Sequence, residues 1–197
     1  VAVKGWNGHV SKAMFASKIF FYEEFILQPA VSVLFVCLGN ICRSPTAHGV
    51  FQNLVDKAGL ADAIYIDSCG TGDWHIGHAP DERATQKAAQ YGYDLSSLRA
   101  RQLCANDFSQ FNILLAMDKA NLRDMRALSP TSFQGKLELF LSYDRASDKS
   151  AAAVNEVPDP YYGGEQGFDE VVQLTERAAR GLLEELVREY NLSSSSL

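Results

Sequence analysis

From residue 31 onward, short apolar runs alternate with stretches in which apolar residues recur at helical spacing. Residues 31–36 predict a buried strand, and the apolar positions between Ala47 and Ala58 predict a helix directly after it. Three further strands are predicted at 63–68, 111–117 and 136–141, and three further helices at 80–91, 119–128 and 168–190. Strands that alternate with helices are typical of a parallel sheet covered on both faces. We therefore expect an α/β fold of three layers, with a four-stranded parallel sheet between two layers of helices.

The link between the first strand and the first helix carries the candidate chemistry. Its sequence is Cys37-Leu38-Gly39-Asn40-Ile41-Cys42-Arg43-Ser44, followed by Pro45. A loop between a strand and a helix N-terminus binds anions, because backbone N–H groups converge there and the helix dipole favours negative charge. Gly39 and Asn40 readily adopt the left-handed backbone that a loop around an anion requires. Ligands for a phosphate are therefore expected from Leu38, Gly39, Asn40, Ile41, Cys42 and Ser44.

Cys37 and Arg43 complete this loop as a reaction site. Such an environment favours the thiolate form of a cysteine, and the arginine side chain can hold two oxygens of one phosphate. A cysteine six positions before an arginine is by itself more often a buried structural residue. The eight-residue string with Ser-Pro attached is far more specific. It predicts a thiolate that attacks a bound phosphate.

Asp159 is the candidate general acid. Transfer of phosphate from an aryl ester to a thiolate leaves a phenolate, which departs faster if it is protonated. Asp159 stands between two prolines, which stiffen the backbone and can hold the carboxyl group in one direction. Alone, this string would favour an inert solvated turn. Together with the cysteine loop, it favours an acid catalyst.

Three strings, at 36–45, 67–74 and 158–163, resemble the low-molecular-weight protein tyrosine phosphatase family, and the resemblance spans about residues 31–190. The resemblance implies the phosphotyrosine phosphatase I-like variant of a flavodoxin-like fold. It also implies that Cys37 is the nucleophile, Arg43 the phosphate clamp and Asp159 the acid. Trp74 and Tyr161 would form the aromatic walls of a slot for the phenyl ring of phosphotyrosine.

The sequence departs from the family pattern at two places near the loop. His48 stands where a glutamate is usual, and the 97–102 string lacks the histidine that often precedes Arg-x-Arg-Gln in relatives. In relatives, that histidine can brace the positions of Asn40 and Ser44. Neither departure affects Cys37, Arg43 or Asp159.

Composition is that of a small enzyme with one catalytic domain. Hydrophobic residues make up 47% of 197 residues, and the net charge of −6 gives no basic surface for nucleic acid or an anionic membrane. The four cysteines follow no zinc-site spacing, and the histidines are not spaced as ligands, so we expect neither a metal nor a cofactor. A catalytic thiolate suits a reducing cytoplasm.

The two ends fall outside the pattern. Residues 1–30 are interpreted as an N-terminal extension, either disordered or an added helix, because their apolar stretch is too short and too charged for a membrane span or a signal peptide. Residues 31–190 form the expected catalytic domain. Residues 191–197, which include four serines, are expected to be a loose tail.

Three functions compete. Hydrolysis of phosphotyrosine through a phosphocysteine intermediate is favoured. The expected partner is a phosphotyrosine-containing protein, such as a tyrosine kinase, and the enzyme itself is expected to be a monomer or weak dimer. Arsenate reduction would need two further cysteines on a flexible segment, but Cys69 and Cys104 are far apart in sequence. A phosphoprotein-binding module without turnover would lack Cys37 or Asp159. Phosphoarginine specificity is a narrower variant, for which relatives carry threonine in place of Ile41.

Cys42 also suggests redox control. It lies five residues after Cys37 on the same loop. A thiol at that position can capture the sulfenic acid that peroxide forms on a reactive thiolate. The alternative is that Cys42 only fills space behind the loop.

Overall fold

The computed structural model describes residues 28–145 and 155–193. Apart from residues 28–30 and 191–193, the predicted extension and tail lie outside the described residues. In chain order the strands are β1 (Val31–Cys37), β2 (Ile64–Gly70), β3 (Ile113–Ala116) and β4 (Lys136–Leu139). The helices are α1 (Arg43–Lys57), α2 (Glu82–Gln90), α3 (Asp107–Gln110), α4 (Lys119–Leu128) and α5 (Glu165–Glu189), and a 3-10 turn spans Phe140–Tyr143.

The four strands form one parallel sheet in the order β2-β1-β3-β4. Side chains alternate across β1, because successive residues of a strand point to opposite faces. Val33 and Phe35 pack in the core cluster with α1 and α5, whereas Leu34 and Val36 pack in the cluster with α3 and α4. The predicted three-layer α/β fold is confirmed.

Helix α5 covers much of one face of the sheet. Apolar residues recur along it at helical spacing, and four of them are fully buried or nearly so: Val171, Ala178, Leu182 and Leu186. Among the helices of the described residues, none combines the length and the apolar character needed to cross a membrane.

Strand β4 and helix α3 differ from the sequence prediction, each for a physical reason. Strand β4 ends at Leu139, and the predicted residues Phe140 and Leu141 lie in the 3-10 turn instead. Both side chains are buried in the same core cluster, which two consecutive residues of a strand cannot achieve. Helix α3 was not predicted, because four residues are too few to show a period.

The carboxyl ends of the neighbouring strands β2, β1 and β3 meet at one edge of the sheet. Cys37 is paired with Gly70, and Val36 with Ala116. Gly70 has no side chain to obstruct the loop after β1, since a Cβ atom there would lie 2.7 Å from the carbonyl oxygen of Leu38. Loops that leave this edge are therefore brought together, as is usual for ligand sites in parallel sheets.

Candidate active site

The loop between β1 and α1 curls around the sulfur of Cys37. Asn40 adopts a left-handed conformation with φ of 55°, which turns the chain back towards the helix. Its backbone N–H donates to Cys37 Sγ over 3.2 Å, and Ser44 Oγ lies 3.0 Å from the same sulfur. Cys42, the residue before α1, supplies no side-chain cap to the helix. The geometry fits the expected anion-binding loop, with the sulfur at its centre.

Buried hydrogen bonds hold Asn40 from three sides. Its side-chain nitrogen donates to Ser44 Oγ over 2.9 Å and to Ser68 Oγ over 3.0 Å. Its side-chain oxygen accepts the backbone N–H of Arg101 over 3.0 Å. Ser68 Oγ lies 3.4 Å from Nδ1 of His48, so the unusual histidine joins the network that braces the loop. Burial lowers the pKa of His48 and so favours the neutral ring, although the negative charge of Asp67 acts in the opposite direction.

Two carboxylates contact the guanidinium group of Arg43. Nη1 is 2.6 Å from Asp118 Oδ2, and Nη2 is 3.0 Å from Asp159 Oδ2. The side chain is only 4% exposed. Burial alone would lower the pKa of Arg43, but the Cys37 sulfur and the hydrogen bond to Asp118 outweigh it and raise that pKa above its usual value. The guanidinium group is thus held in one orientation beside the sulfur.

Asp159 reaches the site because its segment is joined to the sheet edge. The N–H of Val157 donates to the carbonyl of Met117, just after β3, over 2.7 Å. Oδ2 of Asp159 contacts Arg43, and Oδ1 accepts the N–H of Tyr161 over 3.2 Å. Its side chain is 39% exposed, so the carboxyl group is open to a ligand.

A cavity of about 310 Å³ is lined by the predicted reactive groups, of which Cys37 and Arg43 are buried, and by exposed aromatic residues, here called the rim (Trp74, Tyr161 and Tyr162). Its lining consists of Cys37, Leu38, Gly39, Ile41, Cys42, Arg43, Trp74, His75, Asp159, Tyr161 and Tyr162. Two predicted residues, Asn40 and Ser44, are absent from this lining and lie buried behind the loop. Trp74 is 67% exposed, which leaves its ring free to contact a ligand.

Sequence reasoning missed three residues of this site. Asp118 follows the predicted strand β3, so its place at the carboxyl edge beside β1 was open to inference from the strand order. It also caps α4, because its side chain accepts the N–H of Asn121. His75 and Tyr162 also line the cavity. Each directly follows a residue predicted for the slot, Trp74 or Tyr161, and that adjacency was the signal that could have found them.

Comparisons with known proteins identify the family of the chain. The family model for low molecular weight phosphotyrosine protein phosphatase matches residues 32–192. The low molecular weight phosphotyrosine protein phosphatase of Schizosaccharomyces pombe is 46% identical over 148 residues, which are 74% of this chain and 91% of that protein. The structure of a protein tyrosine phosphatase from Entamoeba histolytica matches with a TM-score of 0.74 and 33% identity, over 82% of this chain and 99% of that one. The Drosophila arginine phosphatase matches with a TM-score of 0.71 and 32% identity, over 78% and 96% of the two chains. The chain therefore belongs to the low molecular weight phosphotyrosine protein phosphatase family and is a protein tyrosine phosphatase.

Proposed function

We propose that residues 31–190 form a catalytic domain that hydrolyses phosphotyrosine in proteins through Cys37, Arg43 and Asp159. One observation carries this assignment: the Cys37 sulfur, the Arg43 guanidinium group and the Asp159 carboxyl group line a single cavity. A nucleophile, an anion clamp and a proton donor are the three parts that phosphate transfer to a thiolate requires.

In the first step the Cys37 thiolate attacks phosphorus. The S–P bond forms as the P–O bond to the tyrosine oxygen breaks, and Asp159 donates its proton to that oxygen. Arg43 and the backbone N–H groups of the loop bind the phosphate oxygens, which gain charge as the transition state forms. The proton donor lets the phenol leave as a neutral molecule.

In the second step water attacks the phosphocysteine. The Asp159 carboxylate accepts a proton from this water, the S–P bond breaks, and inorganic phosphate leaves. The Ser44 hydroxyl, 3.0 Å from the sulfur, donates to the departing thiolate. No metal or cofactor takes part in this scheme.

The rim supports an aryl phosphate as substrate. Trp74 and Tyr161 present flat rings beside the phosphate loop, against which a phenyl ring can stack. A phosphoserine side chain is too short to span such a rim and reach Cys37. The partner that we propose is a phosphotyrosine-containing protein in the cytoplasm, such as a tyrosine kinase. We propose that the phosphatase itself is a monomer or a weak dimer.

Phosphoarginine is the second candidate, because the Drosophila arginine phosphatase is among the similar structures. Ile41 lines the cavity, and its apolar side chain offers no hydrogen bond to a guanidinium group. Arsenate reduction has less support. Cys69 is fully buried in β2, and burial raises the pKa of its thiol well above the usual value, so it is poorly suited to pass on a disulfide.

The proposal is tested by turnover of matched phosphopeptides by the wild-type protein and by Cys37→Ser. We expect hydrolysis of phosphotyrosine but little of phosphoserine or phosphoarginine, and no reduction of arsenate. Cys37→Ser should lose turnover yet still bind phosphate, because Arg43 and the loop amides remain. Near-wild-type hydrolysis by Cys37→Ser would refute the mechanism, and faster turnover of phosphoarginine would refute the substrate.

A further inference from the structure

We infer that Arg83, on helix α2 and outside the reacting atoms, is a positioning residue that holds the acid segment (residues 157–164) in register with the phosphate loop. This inference rests on the proposed role of Asp159 as general acid. It concerns how the carboxyl group of Asp159 is held in position relative to the phosphate loop, although its own segment is largely exposed.

The start of α2 is joined to the phosphate loop. The N–H of Asp81 donates to the carbonyl of Ile41 over 2.8 Å. The Asp81 side chain in turn accepts the backbone N–H of Arg83 over 2.9 Å, as an N-cap does. Any group fixed to this first turn of α2 is therefore fixed relative to the loop that contains Cys37.

The guanidinium group of Arg83 is fixed to that turn by a two-point contact. Nε and Nη2 donate to the two carboxylate oxygens of Asp81 over 3.0 and 2.9 Å. Hydrogen bonds from Arg83 lower the pKa of Asp81, so the carboxylate stays ionised. Such paired contacts set the plane of an arginine as well as its position.

The same guanidinium group also contacts the acid segment and α5. Nη1 donates to the carbonyl of Tyr161 over 3.2 Å. The guanidinium carbon lies 5.4 Å from the ring centre of Tyr161 and 4.8 Å from that of Phe168, distances at which a cation is attracted to an aromatic face. Phe168 is buried with Cys42 and Ala84, and Ile41 packs against this cluster. Arg83 thus stands between the two loops and contacts the acid segment through both backbone and ring.

Tyr161 passes this restraint to Asp159. Its N–H donates to Oδ1 of Asp159, leaving Oδ2 towards Arg43. The residues that follow are held mainly by one turn hydrogen bond, from the N–H of Gly163 to the carbonyl of Pro160, since Tyr162 is 93% exposed and a side chain at Gly164 would meet nothing within 4 Å. A shift of Tyr161 would therefore turn the Asp159 carboxyl group away from the leaving oxygen, and a misplaced acid loses its catalytic effect.

The test measures kcat/KM for aryl phosphates whose leaving groups range from p-nitrophenol, which leaves readily, to phenol, which needs protonation. We expect Arg83→Gln to change turnover of p-nitrophenyl phosphate little and to lower that of phenyl phosphate by about tenfold, part of the ~10²–10⁴-fold effect of a general acid. Arg83→Lys, which cannot make the two-point contact and the Tyr161 contact together, should show the same steepening to a smaller degree. Alkylation of Cys37 by iodoacetate should proceed at the wild-type rate in both.

Lys87→Gln is the matched control. Lys87 lies one turn further along α2 and pairs with Asp169 of α5 over 3.2 Å, so it joins the same two helices away from the acid segment. This variant should retain the wild-type dependence on leaving group. If Arg83→Gln does not fold, Arg83→Lys in the same series decides the matter.

Combination with Asp159→Asn separates the possible failures. Arg83→Gln should add no further leaving-group dependence to Asp159→Asn, because the group that it positions is then absent. Two results would overturn the role of Arg83 without affecting that of Asp159. One is an equal loss of kcat/KM for all leaving groups in Arg83→Gln, and the other is an undiminished effect of Arg83→Gln in the Asp159→Asn background. If Asp159→Asn itself shows no leaving-group dependence, the proposed acid is wrong.

Discussion

At the scale of single residues, the two cysteines of the phosphate loop have different chemical environments. Both are buried, at 3% exposure for Cys37 and 5% for Cys42, and both line the cavity. The backbone N–H of Asn40 donates to the Cys37 sulfur over 3.2 Å, and Ser44 Oγ lies 3.0 Å from the same sulfur. Burial, followed by the negative charge of Asp81, raises the pKa of the Cys42 thiol far above its usual value. Cys42 therefore remains a thiol at neutral pH and does not compete as nucleophile.

This difference refines the predicted redox control. Peroxide should convert the Cys37 thiolate to a sulfenic acid, and attack by the Cys42 sulfur would form the disulfide as water leaves. Because Cys42 must lose its proton, capture should be slow at neutral pH and faster at higher pH. We expect peroxide to inactivate the enzyme, phosphate to protect it and dithiothreitol to restore activity.

Cys42→Ser should keep most activity but recover poorly after oxidation, as measured by p-nitrophenyl phosphate turnover before and after reduction. Cys104→Ser, which removes an exposed free cysteine, is the control and should recover like the wild type. Full recovery of Cys42→Ser would show that Cys42 only fills space behind the loop.

At the scale of elements, helix α5 packs against the 3-10 turn through a glycine. A Cβ atom at Gly181 would overlap the carbonyl oxygen of Tyr143. This close approach lets the turn bury Phe140 and Leu141 beneath the helix. Glycine is otherwise unfavourable inside a helix by ~1 kcal/mol relative to alanine, so its presence here reflects packing.

Gly181→Ala should destabilise the protein although alanine is the better helix former. The overlapping atom belongs to the backbone and cannot rotate aside, and overpacking of this kind costs ~1–3 kcal/mol. A domain of this size loses about 2–4 °C in melting temperature per kcal/mol, so thermal unfolding should detect the change.

Gly167→Ala, in the first turn of the same helix, is the control. The nearest atom to its added Cβ would be Pro160 Cβ at 3.4 Å, an ordinary contact, so stability should stay level or rise. A melting temperature for Gly181→Ala at or above that of the wild type would contradict the packing account.

At the scale of the whole molecule, two buried tyrosines make the fold sensitive to alkali. The Tyr93 hydroxyl donates to Glu176 of α5, and the Tyr143 hydroxyl donates to Glu138 of β4 over 2.8 Å. Burial, together with the hydrogen bond to Glu176, raises the pKa of Tyr93 to about 12. Burial and Glu138 raise the pKa of Tyr143 in the same direction. Both phenols must ionise more readily in the unfolded chain than in the native protein.

The free energy of unfolding should therefore fall with rising pH once the unfolded tyrosines ionise. A group whose folded pKa is raised contributes its full stability below its unfolded pKa, about 10 for tyrosine, and that contribution is lost as pH rises through the folded value. For Tyr93 the window runs from about pH 10 to about pH 12. Urea unfolding between pH 8 and pH 12 measures this loss.

Tyr93→Phe should flatten the decline in that window, because the ionisable group is removed, while lowering stability at pH 8 by ~1 kcal/mol for the lost hydrogen bond. Tyr143→Phe provides the comparison. When it is combined with Tyr93→Phe, the free energy of unfolding should fall even less with rising pH than in either single variant. An unchanged slope in Tyr93→Phe would contradict the assignment to this phenol.

The sequence by itself determined what depends on short-range pattern. The Cys37–Arg43 loop, the four parallel strands and α4 at its observed bounds follow from local periods, turn residues and anion-loop chemistry. The structure differs from the sequence prediction where contacts with residues distant along the chain determine the local conformation. Strand β4 stops early because Phe140 and Leu141 both turn into one core, and that core comprises residues distant along the chain.

Only the tertiary structure decided which groups meet Arg43 and what holds them there. Asp159 is 116 positions away in the chain and arrives because Val157 is hydrogen-bonded at the end of β3. Asp118 and Arg83 look like ordinary cap and helix residues in the sequence. Their roles arise from the order of parallel strands and from the packing of α2 beside α5, since contacts between distant segments leave no period in the sequence that would reveal them.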